Sequence, residues 1–119
     1  MNGVFRRAIL SAIDVDMVED LRSMLGDDFE LFLTTFRNDM DVRCQAIAEA
    51  VSQADSDAVR RAAHSLKGSS SNLGAVELSS ACATLETQAH EGNLANAEAL
   101  VVEIEKNRQL VLEALNNLA

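Results

Sequence analysis

Apolar residues recur every three or four positions along most of this 119-residue chain, which is the spacing of one face of an α-helix. The longest run holds three of the four phenylalanines and comprises Phe29, Phe32, Leu33, Phe36, Met40, Cys44, Ile47 and Val51. The three later runs are Val59, Ala62, Leu66, Ser69 and Leu73; Leu78, Cys82, Leu85 and Ala89; and Leu94, Val101, Ile104, Val111, Leu115 and Leu118. The pattern predicts four amphipathic helices, each with one face turned toward a common core.

Residues that start and stop helices separate these runs. Asp27, with Glu30 three residues later, predicts a capping box at the start of the first long helix. Residues 53–57 break the pattern, Gly74 is placed to cap the next helix in a left-handed conformation, and Gly92 ends the helix after that. Short connections between long helices favour antiparallel neighbours.

Shorter segments precede the four helices. Residues 3–12 favour a short, imperfect helix, and Asp14 or Asp16 is placed to cap a second helix that ends at Gly26. The inner face of this second helix would carry Val18, Leu21 and Leu25. We therefore expect an all-α fold, an antiparallel up-down-up-down four-helix bundle with one or two short extra helices at the N-terminus, formed by a single domain over residues 1–119.

Composition supports helices and excludes several kinds of partner. The chain has no proline, tryptophan or tyrosine and only five glycines, which is poor material for strands and turns. Its net charge of −9 would repel nucleic acid and anionic membrane surfaces, and no apolar run approaches the roughly 20 residues that span a bilayer. Cys44 and Cys82 form no CxxC pair and follow no secretory signal, so we expect reduced core thiols in a cytoplasmic protein.

One stretch has an unusual composition for a helix: AHSLKGSSSNLGA, residues 63–75. At about 100° per residue, His64 lies roughly 160° from Leu66 around the helix, so it points away from the core. Within two turns, the residues expected on the His64 side are Arg60, Arg61, Lys67, Gly68 and Ser71, of which Gly68 contributes no side chain. Residues 58–76 contain three basic residues and no acidic one, which predicts a cationic surface that attracts an anion.

The chemistry suited to this face is the transient binding of a phosphoryl group. An imidazole nitrogen is a good nucleophile near neutral pH and can carry a phosphoryl group, which adds about two negative charges. Lys67, three residues after His64, is placed to offset that charge. Gly68 leaves room beside the ring, at a penalty of about 1 kcal/mol relative to alanine in a helix. The sequence places no neighbouring acid beside His64 to act as a base.

The same stretch resembles the signature of histidine-containing phosphotransfer domains. The matching residues are His64, Leu66, Lys67, Gly68, Leu73, Gly74 and Ala75, and the resemblance continues through Leu78, Cys82, Leu85, Glu86, Ala89 and Gly92. It implies a four-helix bundle in which His64 accepts a phosphoryl group from the aspartate of one response-regulator receiver domain and passes it to another. Lys67 would stabilise the phosphate and Gly68 would keep the approach open.

The resemblance also implies what this chain lacks. The receiver would supply the acidic pocket and the Mg²⁺ ion, so the bundle would be a phosphocarrier with no cofactor of its own, and not an enzyme. Its partners would be receiver domains and a hybrid sensor histidine kinase, and we expect a monomer.

Further phosphate contacts are predicted for Arg60, Arg61 and Ser71, because they lie on the His64 side of the helix. The receiver-docking surface is expected to include residues 15–25.

Other interpretations fit less well. A histidine kinase dimerisation domain would have an acid directly after the histidine and a proline nearby, whereas Ser65 follows His64 here. A di-metal bundle needs Glu-x-x-His pairs, but Glu86 and His90 are four residues apart, so no metal site is expected. His90 is more suitable as a charge at a helix C-terminus. The remaining alternative is a helical adaptor that binds a receiver or another protein without transferring phosphate.

Overall fold

The computed structural model describes residues 9–118, and helices account for most of them. Their bounds are Val15–Leu25 (α1), Phe29–Ser52 (α2), Ser56–Ser71 (α3), Val76–His90 (α4) and Ala97–Leu118 (α5). Most of the short helix predicted over residues 3–12 lies outside the described residues; of its described part, Ile9 and Leu10 are helical. The shortest connection between long helices is the 53–55 link from α2 to α3, where a break was predicted.

The four long helices form the predicted bundle. Helix α3 packs against α2 on one side and α4 on the other, and α5 closes the ring by packing against both α4 and α2. Helix α1 leads through the short 3₁₀ turn Gly26–Asp28 into α2 and packs against its start. The fold is all-α, and among the described residues α1 and the helical residues Ile9 and Leu10 precede the bundle.

The core is formed by the apolar stripes that the sequence predicted, except that the buried face of α3 is rotated by one residue at two positions. On α2, α4 and α5 the predicted inward positions are buried or half-buried. On α3, however, Ala63 and Ser70 are fully buried, whereas the predicted Ala62 and Ser69 are only partly buried. The prediction was wrong by one position at these two sites because α3 packs most closely on α4, which turns its buried face toward that helix.

Helix starts agree with the prediction in α1 but not in α2. The Asp14 side chain caps α1 by accepting a hydrogen bond of 3.0 Å from the Met17 backbone N–H. The capping box predicted at Asp27 is absent, because Asp27 lies within the 3₁₀ turn and α2 begins only at Phe29. Asp28 occupies the N-cap position without a side-chain hydrogen bond.

Gly74 forms the turn between α3 and α4, and its lack of a side chain lets Asp14, just before α1, pack against that turn. Its φ of +65° is one that residues with a side chain rarely adopt. A Cβ there would lie 2.3 Å from the Asp14 Cβ, and the Asp14 backbone N–H donates a 2.9 Å hydrogen bond to the Leu73 carbonyl. The predicted left-handed cap is confirmed, and the same glycine lets α1 dock beside the α3–α4 turn.

Cys44 and Cys82 are buried free thiols, as predicted. Burial raises the pKa of each thiol to about 12, so both side chains remain protonated and unreactive. No described helix combines the length and the apolar character needed to cross a membrane.

Candidate functional site

The α3–α4 hairpin brings His64 beside Glu86. His64 precedes Ala75 by eleven residues and Glu86 follows it by eleven, and an antiparallel hairpin places residues equally far from its turn side by side. The His64 Nδ1 lies 2.8 Å from Glu86 Oε2. The same register joins Ser71 to Ser79, each four residues from Ala75, through hydroxyl oxygens 2.8 Å apart.

Glu86 bridges two side chains of α3. Its other carboxylate oxygen, Oε1, lies 2.6 Å from the Lys67 Nζ, and the Glu86 side chain is only 21% exposed. The hydrogen bond from Lys67, with a smaller contribution from His64, holds the pKa of Glu86 below its ordinary value. Glu86 is therefore ionised near neutral pH. The expectation that no acid adjoins His64 was wrong, because it considered only residues near His64 in sequence; the hairpin register identifies the partner.

The His64 ring is oriented with one nitrogen inward and one outward. Its side chain is 66% exposed, and the contact with Glu86 engages Nδ1. Since an ionised carboxylate only accepts hydrogen bonds, a neutral His64 donates its Nδ1–H to Glu86 and carries its lone pair on Nε2. The structure describes no partner for Nε2 among residues 9–118. In the neutral ring, the nitrogen with the free lone pair is thus Nε2, the atom that Glu86 does not engage.

Gly68 lies one turn after His64 on the same exposed face. A Cβ built there meets no atom within 4 Å, and the backbone conformation is one that any residue can adopt in a helix. Nothing in the bundle requires a glycine at this position. The space beside Gly68, one turn from His64, is therefore open to a second molecule.

The two arginines before His64 are engaged by an acid of their own helix. Arg60 Nη2 lies 2.9 Å from Asp57 Oδ1, and Arg61 Nε lies 3.1 Å from Asp57 Oδ2. The cationic surface predicted from residues 58–76 is therefore largely neutralised. The prediction counted charges only over residues 58–76, so it left out Asp57, which precedes that range by one residue, and Glu86, which lies on the next helix. A phosphate contact by Arg60 or Arg61 stays a prediction that requires these ion pairs to open.

The Ser71 hydroxyl makes local contacts. It donates to the Lys67 carbonyl at 2.8 Å and also contacts the Ser79 hydroxyl across the hairpin. Its contact with a phosphate stays a prediction. In the structure Ser71 links the ends of α3 and α4.

The other two serines explain why α3 tolerates a polar run. Ser70 is fully buried, and its hydroxyl donates to the Leu66 carbonyl at 2.8 Å, so it fits the tight α3–α4 contact without an unpaired donor. The Ser69 hydroxyl donates to Asp39 Oδ2 on α2 at 3.2 Å. The serines therefore serve three separate helix contacts.

Within residues 9–118, no group of three or more histidine, cysteine, aspartate or glutamate side chains is arranged to hold a metal ion. His90, the second histidine, is exposed at the last position of α4, where a positive charge interacts favourably with the helix dipole.

Comparison with known proteins identifies the family. The family model of the Hpt domain matches residues 31–118, which include α3, α4 and the whole His64 site. The chain belongs to the Hpt domain family. Its structure is similar to the crystal structure of histidine-containing phosphotransfer protein B (HptB) from Pseudomonas aeruginosa PAO1, with a TM-score of 0.84 and 33% sequence identity over 89% of this chain and 92% of that chain. No curated protein matches the chain.

Membership of the Hpt family establishes the general activity. Hpt proteins transfer phosphoryl groups through histidine in two-component phosphorelays and are phosphocarriers, not true enzymes. Their partners are two-component receiver and kinase proteins.

Proposed function

We propose that His64 is the phosphoacceptor, that it receives a phosphoryl group at Nε2 from the aspartyl phosphate of one receiver domain, and that it passes the group to a second receiver. The observation that carries this proposal is the ring orientation. Glu86 engages Nδ1 at 2.8 Å, while the ring remains 66% exposed. The nucleophilic nitrogen therefore faces the side from which a partner can approach.

The transfer is a displacement at phosphorus. The lone pair of His64 Nε2 forms the N–P bond, the bond between phosphorus and the receiver's aspartyl oxygen breaks, and its electron pair remains on that aspartate. The receiver would supply the Mg²⁺ that stabilises the charge on the transferring group. This chain supplies an oriented nucleophile and no metal ligand, in keeping with a phosphocarrier.

Lys67 is placed to stabilise the phosphorylated state. Its ammonium lies against Glu86 and is one-third exposed, on the side of α3 that carries His64. A phosphoryl group on His64 would add about two negative charges within reach of this flexible side chain. The expected role of Lys67 is therefore to pair with the phosphate, and the role of Gly68 is to leave the receiver a clear path to Nε2.

Two apolar features, one on α1 and one beside α3, are suited to receiver docking. Helix α1 exposes Met17 and Met24, which are 40% and 80% exposed. A groove between α2 and α3 is lined by Phe32, Phe36 and Asn72, among others. The groove borders the α2 side of α3, while α1 docks beyond the C-terminal end of that helix. We assign both surfaces to the receiver, which extends the sequence expectation for residues 15–25 to the α2–α3 groove.

The finer assignments follow from the same proposal. A hybrid sensor histidine kinase would supply the first receiver, and the chain would act as a monomer in the cytoplasm. The family supports the kinase partner, and the free, buried thiols suit a cytoplasmic location.

Transfer to His64 is tested with a receiver domain charged by acetyl phosphate in the presence of Mg²⁺. The wild-type protein should acquire a label that is labile in acid and stable in alkali. His64→Gln should acquire none, whereas His90→Gln, the matched control at the other histidine, should be labelled normally. Label on the His64→Gln protein would refute the assignment. An adaptor without transfer activity would leave wild-type unlabelled while both proteins still bind the receiver.

A further inference from the structure

The side chain that holds the inward nitrogen of His64 is a carboxylate, which can accept a hydrogen bond but never donate one. We propose that Glu86 keeps the proton on Nδ1 throughout the transfer cycle and so makes phosphorylated His64 a strong donor and a poor store of phosphate. This inference rests on the proposed function of His64. Glu86 acts through the ring and does not touch the transferring group, so it is a positioning residue.

Before transfer, Glu86 and the ring are complementary. Nδ1–H donates to Oε2, and the lone pair on Nε2 attacks phosphorus. When the N–P bond forms and the aspartyl O–P bond breaks, the ring has given up its Nε2 lone pair but still holds its Nδ1 proton. The first product is therefore a phosphoimidazolium, whose positive ring lies against the carboxylate of Glu86 at 2.8 Å.

Stable storage of the phosphoryl group requires this ring to lose its Nδ1 proton. Once the proton leaves, Nδ1 carries a lone pair that faces the lone pairs of an ionised carboxylate, and the hydrogen bond is lost. Glu86 therefore opposes the deprotonated, long-lived form. It favours the protonated form, from which the phosphoryl group departs more easily because a neutral imidazole is the leaving group.

A glutamine at this position would behave differently. Its amide oxygen can accept from Nδ1–H before transfer, and after rotation its NH₂ can donate to the bare Nδ1 of the phosphorylated ring. Glu86→Gln is thus nearly isosteric, preserves the orientation of the ring, and removes the preference for the protonated phosphohistidine. It also releases Lys67, whose Nζ lies 2.6 Å from Glu86 in the wild-type protein.

The other charged groups near the ring are engaged elsewhere or lie farther along their helices. On α3, Arg60 and Arg61 are paired with Asp57. On α4, His90 follows Glu86 by one turn. From α2, Asp39 accepts hydrogen bonds from Arg43 and Ser69 on the opposite flank of α3. Glu86 is the only acid in contact with the imidazole among the described residues.

The test measures the equilibrium constant for transfer between a receiver domain and His64 as a function of pH. Above the pH at which the phosphorylated ring loses its Nδ1 proton, that ring has no hydrogen bond to Glu86 but keeps one to glutamine. We therefore expect Glu86→Gln to favour phosphorylated His64 about tenfold at about pH 8.5, the factor that one hydrogen bond contributes. The gain should fall toward one at lower pH, where the phosphorylated ring keeps its Nδ1 proton in both proteins. Glu103→Gln on α5 is the matched control and should leave the equilibrium unchanged.

A spectroscopic measurement follows the proton itself. The ¹⁵N chemical shift of Nδ1 in the phosphorylated protein should show that the ring keeps its proton to higher pH in wild-type than in Glu86→Gln. A gain of the same size at every pH, with identical ¹⁵N titrations, would show that only Lys67 had been released and would overturn the inference. Failure of both proteins to accept label would overturn the proposed function and this inference with it.

Discussion

Gly68→Ala should stabilise the protein while impairing its activity. Gly68 lies in the interior of α3 with no atom within 4 Å of a built Cβ, and its backbone is helical. Alanine removes the excess backbone entropy of glycine in the unfolded chain and adds no clash. The free energy of unfolding should therefore rise by about 1 kcal/mol.

The thermal consequence is measurable. For a chain of 119 residues, an entropy of unfolding of about 2.1 cal/mol/K per residue converts about 1 kcal/mol into a rise of about 4 °C in Tm. Circular dichroism at 222 nm follows the transition. Gly26→Ala is the matched control, since Gly26 also has open space but has a φ of +54°, and it should lower the stability by about 1 kcal/mol.

The same substitution, Gly68→Ala, should lower the rate of phosphotransfer. The new methyl group would stand one turn above His64, where Cβ atoms are about 5–6 Å apart, and would obstruct the receiver. Because a misplacement of about 1 Å can slow a reaction about a hundredfold, we expect the transfer rate to fall by about tenfold to a hundredfold. A destabilised Gly68→Ala protein would refute our account of the backbone, and an unchanged transfer rate would refute the role assigned to the open space.

Three further predictions concern the turn, the cation and the carboxylate. Gly74→Ala should destabilise the protein by about 2 kcal/mol in urea unfolding, because the new Cβ would collide with the segment before α1 at a positive φ; a loss below about 0.5 kcal/mol would contradict the close docking. Lys67→Ala should slow transfer or shorten the lifetime of the phosphorylated form while costing no more than about 1 kcal/mol of stability, since its ion pair is partly exposed; unchanged kinetics and lifetime would exclude the phosphate role. Because the pKa of Glu86 is lowered from 4.5 in the folded protein, its ionisation stabilises the fold above that value and the stabilisation is lost as pH falls through the lowered pKa. Wild-type should therefore exceed Glu86→Gln in stability near neutral pH, and the difference should vanish in acid; a difference independent of pH would contradict the linkage.

Most of the fold was predictable because helix periodicity and glycine positions are local signals. The stripe from Phe29 to Ile47 identified the buried face of α2, and Gly74 identified the turn between α3 and α4. The start of α2 was not predictable from Asp27, since the preceding helix continues into a 3₁₀ turn that displaces the cap. The buried face of α3 depended on which neighbour it approaches more closely, which is a tertiary property.

The part of the candidate site that lies on one helix was predictable, because helix geometry is a local signal. His64, Lys67 and Gly68 share one helix, so their common face follows from helix geometry. Glu86 lies on the next helix, and its contact with His64 depends on the register of the α3–α4 hairpin. That register was available in principle, because both residues lie eleven positions from Ala75, but it required the centre of the turn to be known.

The central claim is that Nε2 of His64 is the atom that carries the phosphoryl group. The most direct measurement is a long-range ¹H–¹⁵N correlation spectrum of the histidine-labelled protein, recorded before and after transfer from a charged receiver. Our account predicts that the Nε2 resonance of His64 shifts on phosphorylation and that the resonances of His90 do not. Phosphorylation at Nδ1 of His64, or at His90, would contradict it.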